Sequence, residues 1–272
     1  MKRQETQETT VADVSVQPDA PGVAREAAER TVALARAAIS ANGRFTIALA
    51  GGATPRAMYT LLASDAFARR INWPAVHVFW GDERCVHPND FGSNYGMVHQ
   101  ALLSHVPIPS QNVHRVLGES DPEVAAESYA EELGRIFRDA WPRFDLILLG
   151  LGTDGHTASL FPGAPVLEER KRAVVAVTAE YEDRPACRVT LTIPAINAAR
   201  HVLFLVTGSS KAETLRAVLE GPPGRFPAQL IQPIRGQLAW LVDAAAAMQI
   251  RGGVRDVSER SAQIPAEEPA CA

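Results

Sequence analysis

Cysteine is scarce in this chain, and the few residues present are badly spaced for a framework. Cys85, Cys187 and Cys271 are odd in number and lack C-x-x-C spacing, so neither a disulfide scaffold nor a zinc knuckle is expected. With no H-x-x-x-H pair and no His/Cys cluster either, no metal site is expected. Long apolar runs are also missing. No stretch reaches the roughly 18 residues that span a bilayer, and the opening MKRQETQETT has no apolar segment behind its basic residues, which gives no secretory signal. A cytoplasmic protein in a reducing compartment, neither exported nor membrane-bound, is the expectation. Finally there is no excess of positive charge. A formal net charge of -4 argues against a general nucleic-acid binder, while leaving room for a local basic pocket that takes a phosphorylated small molecule.

What is present is the composition of an ordinary globular protein. At 272 residues, 46% hydrophobic and 21% charged, the chain can bury one large core. Residues 1–10 are polar without periodicity, and 251–272 mix Gly, Pro and charge. Both read as disordered tails, leaving one domain over 11–250.

Within that domain, short apolar or β-branched runs alternate with amphipathic stretches. Strands are expected at Val11–Val16, Phe45–Ala50, Val76–Trp80, Asp145–Leu149, Ala173–Val177, Arg188–Leu191, His201–Val206 and Gln237–Val242. Helices are expected at Gly22–Ala41, closed by Asn42-Gly43, and at Pro55–Ala63, Asn94–Leu103, Pro122–Asp139, Pro194–Ala199 and Lys211–Leu219. Such alternation implies an α/β fold, a mostly parallel sheet with helices on both faces. Ligands of such sheets bind beyond the carboxyl ends of the strands. Four polar clusters follow strands in this chain: GGATP at 51–55, GDER at 81–84, GLGTDGHT at 150–157 and TGSSK at 207–211.

Two of these clusters suit phosphate. Gly51 and Gly52 stand where a strand ends, and Pro55 follows at a helix start, so backbone N–H groups there can meet an anion. The bland reading is a tight turn with no ligand. Thr207–Lys211 repeats the arrangement and adds a lysine. Asp82-Glu83-Arg84 reads either as a solvated charge run or as a rim arginine able to grip phosphate bidentately.

The fourth cluster spells Gly150-x-Gly152-x-x-Gly155, the dinucleotide fingerprint. That motif needs a helix after its third glycine, whereas Phe161-Pro162-Gly163-Ala164-Pro165 stops one and Asp154 sets a negative charge where pyrophosphate would lie. No nicotinamide cofactor is expected. What remains is His156, two residues from Asp154 in a loop on the ligand rim, an arrangement fit to orient an imidazole as general base.

Taken together, GGATP, GDERCVHPNDFGSNYGM, DLILLGLGTDGHTASLFPG, RVTLTIPAIN, TGSSKAETL and PAQLIQP resemble the 6-phosphogluconolactonases, within the wider glucosamine-6-phosphate isomerase/6-phosphogluconolactonase family. The resemblance implies a Rossmann-like single domain without cofactor or metal. It implies hydrolysis of 6-phospho-D-glucono-1,5-lactone, with His156 and Asp154 catalytic, and Gly51, Gly52, Thr54, Asp82, Arg84, Gly152, Arg188 and Lys211 binding the sugar phosphate. A monomer with no macromolecular partner is expected.

The deaminase branch of the family is the nearest alternative. It typically continues the G-H pair as I-A-F-N-E-P and has tyrosine in place of Arg84, whereas this chain reads Thr157-Ala158-Ser159-Leu160-Phe161-Pro162. Related sugar-phosphate-sensing regulators carry a DNA-binding module, which residues 1–20 are not expected to have room for. One departure from the family pattern is Val86-His87, where proline is usual at the second position; here Pro88 comes one residue later.

Overall fold

The computed structural model describes residues 13–139, 141–179 and 185–251, together with the backbone of 255–256. Ten strands form in chain order: β1 Asp13–Gln17, β2 Phe45–Leu49, β3 Val76–Trp80, β4 Asp82–Arg84, β5 Leu146–Leu149, β6 Val174–Thr178, β7 Cys187–Leu191, β8 His201–Val206, β9 Gln237–Asp243 and β10 Arg255–Asp256. The helices are α1 Ala20–Asn42, α2 Ala53–Ala63, α3 Asp65–Ala68, α4 Asn94–Val98, α5 Pro122–Phe137, α6 Ile193–Asn197, α7 Ala212–Glu220 and α8 Ala244–Ala247.

The main sheet runs β10-β1-β9-β8-β5-β2-β3, and every neighbouring pair is parallel. Phe45–Leu49 and Leu146–Leu149 are buried at every residue. Both faces of the sheet are therefore covered, as crossover helices require. α1 starts where the Asp19 carboxylate accepts the Gly22 N–H at 2.8 Å and stops where Gly43, at φ 73°, turns its N–H back to the Ile39 carbonyl. Between these caps Val23, Ala24, Ala27, Ala28, Thr31, Val32 and Ala35 form its buried stripe.

The expected single sheet is corrected in one respect. β6 and β7 do not join the parallel sheet but pair antiparallel, and β4 joins them in a separate sheet of order β4-β7-β6. Only eight residues, 179–186, separate β6 from β7, too few for the crossover of a dozen or more that parallel neighbours need. Smaller differences lie at helix ends. The Asn94–Leu103 helix widens into a π-turn over His99–Leu103, and α5 ends at Phe137 because Arg138 takes a left-handed conformation. β10 falls within the stretch set apart as a C-terminal tail. Arg251, the first residue of that stretch, is also described and donates its N–H to Glu220 at 2.6 Å, while the other residues of both tails lie outside the described residues.

Candidate active site

Four strand exits converge on one rim, and a side chain from elsewhere holds each of them. At the end of β2 the buried Tyr59 hydroxyl accepts the Ala50 N–H at 3.0 Å and donates to the Ala50 carbonyl at 2.9 Å. Tyr129 brackets Trp80 at the end of β3 in the same way, both contacts at 2.9 Å. After β5 the Thr157 hydroxyl donates to the Gly150 carbonyl at 2.9 Å. After β8 the Asp243 carboxylate accepts the Gly208 N–H at 3.0 Å. Buried backbone groups at a strand end must find partners, and these contacts supply them where the ladder stops. Between the exits opens a cavity of about 300 Å³.

Gly51, Gly52 and Thr54 line this cavity. Gly52 has φ 106° and precedes α2 as its cap residue, a backbone state that favours glycine. A side chain on Gly51 would fall 2.0 Å from Asn94 Oδ1, so the Asn94 amide occupies that space. The Thr54 and Thr207 hydroxyls meet at 2.7 Å and tie the two glycine turns together. The turn at Thr207–Lys211 differs from its expected twin in that Asp243 takes the Gly208 N–H. Its contribution to the cavity includes the Lys211 side chain.

The small sheet explains the DER triplet through the alternation of strand side chains. Asp82 and Arg84, with Arg188 opposite Arg84 on β7, face the cavity. Glu83 points the other way and is 2% exposed. It accepts the N–H groups of Asn94 at 2.7 Å, Tyr95 at 2.6 Å and Arg84 at 2.7 Å. Burial raises its pKa against those hydrogen bonds, and its work is structural. Asp82, 8% exposed, accepts the Ser159 hydroxyl at 2.8 Å. Arg84 donates through Nη1 to the Gly92 carbonyl at 2.5 Å, and its Nε is buried with no partner among the described residues. Arg188, 2% exposed, donates to the Pro185 carbonyl at 3.1 Å and lies 5.4 Å above the Phe161 ring. Two guanidiniums and Lys211 thus surround a space large enough for one small anion-bearing ligand.

At the other end lies the loop after β5. It makes no helix before the short turn at Pro165–Glu168, so the glycine fingerprint does not build a dinucleotide site. The Gly152 N–H donates to the His156 carbonyl at 2.8 Å, folding the loop on itself. His156 Nδ1 lies 2.6 Å from Asp154 Oδ1, and the same oxygen accepts the His156 backbone N–H at 3.1 Å. The imidazole packs 4.5 Å from the Phe161 ring and is 14% exposed, against 35% for Asp154. Burial lowers the His156 pKa, and the Asp154 charge pulls it part of the way back. Asp154 stands behind the ring, outside the cavity lining.

Gly152 lines the cavity but has a second role that its spacing did not reveal. A Cβ there would lie 2.0 Å from His156 Nδ1 and 2.5 Å from Asp154 Oδ1. Gly155, at φ 82°, likewise has its Cβ space filled by the Phe226 ring. Two further contacts pin this loop: the Thr214 hydroxyl to the Thr153 carbonyl at 2.6 Å, and the Ala228 N–H to the Gly155 carbonyl at 3.1 Å.

All ten residues singled out from the sequence therefore gather at or against one cavity. Those missed fall into two groups. Asn94 and Ser159 stand inside motifs already quoted and were legible there. Thr207 and Thr214 also stand inside a quoted motif, TGSSKAETL, whereas Tyr59, Tyr129 and Phe226 act by contacts that no local pattern displays. Among the described residues no group of three or more His, Cys, Asp and Glu is placed to hold a metal ion, and no helix is long and apolar enough to cross a membrane.

A parallel α/β sheet with a cation-lined cleft and a histidine–carboxylate pair at its carboxyl ends defines a Rossmann-like protein built to act on a small anionic ligand. Comparison with known proteins narrows the class. Residues 18–240 match the family described as Glucosamine-6-phosphate isomerases/6-phosphogluconolactonase, and the chain belongs to that family. A relative named 6-phosphogluconolactonase from Synechocystis sp. is 44% identical, the match covering 79% of this chain and 88% of that one. The Homo sapiens protein of the same name is 42% identical over 76% of this chain and 81% of its own. The solved structure of 6-phosphogluconolactonase from Trypanosoma cruzi superposes with a TM-score of 0.79 at 30% identity, covering 89% and 97% of the two chains.

Proposed function

We propose that the protein hydrolyses 6-phospho-D-glucono-1,5-lactone to 6-phospho-D-gluconate, a step of the oxidative pentose phosphate pathway. It acts as a monomer, by general-base catalysis without metal or cofactor. The observation that carries this reading is the 2.6 Å contact of His156 with Asp154 at the edge of a cavity also lined by Arg84, Arg188 and Lys211. Every group the reaction needs comes from one chain. The relatives' shared name supplies the substrate.

The phosphate sits against Arg84, Arg188 and Lys211 and the backbone of Gly51 to Thr54, and Asp82 faces the sugar hydroxyls. Holding the phosphate there presents the lactone carbonyl to His156. With the Nδ1 proton donated to Asp154, the imidazole lone pair is on Nε2. Nε2 takes a proton from water as the water oxygen bonds to C1. The tetrahedral intermediate then collapses, the C1–ring oxygen bond breaks, and the same proton passes to the departing ring oxygen. Positioned proton transfer of this kind contributes about 10² to 10⁴ in rate, and orientation supplies more. A lactone is an activated ester, so a neutral imidazole is a sufficient base. The lowered His156 pKa keeps it neutral at physiological pH.

The test is a coupled assay in which the lactone is generated from glucose 6-phosphate and its disappearance is followed with and without the protein, in the presence and absence of a chelator. The expected result is hydrolysis well above the enzyme-free rate and indifferent to chelation. Ammonia release from glucosamine 6-phosphate without lactone hydrolysis would transfer the protein to the deaminase branch.

A further inference from the structure

Two of the three cysteines, 102 residues apart in sequence, meet in the small sheet. The β4–β7 register pairs Asp82 with Thr190, Glu83 with Val189 and Arg84 with Arg188. One step further it sets Cys85 opposite Cys187, and the Cys85 N–H donates to the Cys187 carbonyl at 2.9 Å. Directly opposed residues of an antiparallel pair point to the same face. Since Arg84 and Arg188 face the cavity, Cys85 and Cys187 lie together on the reverse face. Both are half-buried free thiols, and Cys187 is close enough to enter the electrostatic surroundings of Cys85.

A hydrogen-bonded opposed pair has its Cα atoms about 5.5 Å apart, inside the range of about 4.4 to 6.8 Å that disulfides span. The Cβ atoms of such a pair stand about 4.5 to 5.5 Å apart, while a disulfide draws them to about 3.8 Å. The pair can therefore close, but only by moving backbone. The residues that move are the immediate neighbours of Arg84 and Arg188. Cys85 lies just past the end of β4, where the Val86 N–H turns back to the Arg84 carbonyl at 2.8 Å, so the ladder has little left to resist the shift.

We propose that Cys85 and Cys187 form a reversible dithiol–disulfide site, and that closing it displaces Arg84 and Arg188 and weakens the hold on the anionic end of the ligand. The oxidant is a low-molecular-weight disulfide. One protein thiolate attacks it, forming a mixed disulfide and releasing one thiol. The second protein thiolate then attacks the protein sulfur of that mixed disulfide, forming the Cys85–Cys187 bond and releasing the second thiol. Two protein thiols are oxidised and one small disulfide is reduced to two thiols. Burial, with the neighbouring Cys187, Glu83 and Asp121 charges, pushes the Cys85 thiol up to about 11. A thiol held that high supplies little thiolate, so whichever step uses Cys85 is slow.

The experiment uses the full chain carrying Cys271→Ser, incubated with oxidised glutathione, alkylated, digested and read by mass spectrometry. The expected product is a peptide pair joined through Cys85 and Cys187, two hydrogens lighter than the sum of its thiol forms and abolished by dithiothreitol. Cys85→Ser and Cys187→Ser should each fail to form it while keeping the activity of the reduced protein. In the phosphorylated-lactone assay the oxidised protein should show a KM raised about tenfold, since a displacement near 1 Å is costly at a positioned site, and reduction should restore it. The KM readout rests on the function proposed above, whereas the mass readout does not. Absence of lactone turnover in the reduced protein would count against that function alone. Two cysteines left free or capped separately by glutathione would overturn the site, and a linked pair with unchanged KM would overturn its coupling to the cleft.

Discussion

The two sheets meet at the cleft and serve it by different means. The parallel sheet contributes strand exits: apolar runs stop, glycines turn the chain, and what reaches the cavity is mostly backbone and loop, from Gly51–Thr54, Gly150–Gly152 and His156–Ala158. The antiparallel sheet contributes strand side chains. β4 and β7 run along the cleft wall, and alternation delivers Asp82, Arg84 and Arg188 to it while turning Glu83 away. In the first case the geometry of a loop sets the chemistry, and small steric errors should cost turnover. In the second, charge is set by register, and losses should fall on affinity.

The largest effect is expected at the loop. His156→Asn keeps size and some hydrogen bonding but cannot accept the proton, so kcat should fall at least ~100-fold with the fold intact. A folded variant with near-normal kcat would remove His156 from the chemistry. Gly152→Ala should come close to it, because the added methyl needs the space of His156 Nδ1 and Asp154 Oδ1. A loss on the order of 10²-fold is expected from displacement alone. Circular dichroism and a melting curve would show whether the variant stays folded. If Gly152→Ala turned over normally, loop geometry would not be the limiting feature of the parallel sheet's contribution.

At the small sheet, Arg84→Ala removes a guanidinium whose Nε is buried with no partner among the described residues. A charge-assisted hydrogen bond is worth about 1.5 to 3 kcal/mol, so KM for the phosphorylated lactone should rise about 10- to 100-fold with a smaller fall in kcat. The comparison substrate is unphosphorylated gluconolactone, on which Arg84→Ala should lose little. Equal losses on both substrates would contradict the division of labour between the sheets.

The same division governs how much of the fold and the site is legible in the sequence. Main-sheet strands such as Val76–Trp80 and His201–Val206 were legible to the residue, since burial on both faces demands a largely apolar run, interrupted here only by the half-buried His77 and His201, and glycine or polar residues mark its end. β4 was not, because three residues, all of them charged, carry no strand pattern. Its membership is decided by β7, more than a hundred residues away. His156, Asp154 and Arg84 stood out as chemistry-bearing groups at strand ends. The parts that hold them did not: Tyr129 acts on Trp80 across 49 positions and Thr214 on Thr153 across 61, and buried tyrosines and helical threonines are ordinary core residues until those contacts are seen. The Cys85–Cys187 pairing was hidden for the same reason, since spacing alone argued against any disulfide.

The smallest effect expected is at Asp154, and it sharpens the picture of the loop. In Asp154→Asn the amide oxygen can still accept both the His156 backbone N–H and Nδ1–H, because the two donors converge on the same oxygen, at 3.1 and 2.6 Å. The opposite amide orientation would set a donor against those donors, so the backbone N–H favours the orientation that preserves the working tautomer. The cost in kcat should then be only about tenfold, below the His156→Asn loss. The pH profile should move in a direction that follows from the charges. A base works when neutral, so kcat/KM rises with pH through the His156 pKa. Burial already holds that pKa below the ordinary histidine value, and the Asp154 charge opposes the shift. Removing the charge removes the opposition, so the rising limb should move to still lower pH in Asp154→Asn, measured against enzyme-free hydrolysis at each pH. A limb that stayed in place or moved upward would mean that the Asp154 charge does not act on the titrating group. A variant that lost only thermal stability, with kcat and profile unchanged, would reduce Asp154 to a loop brace.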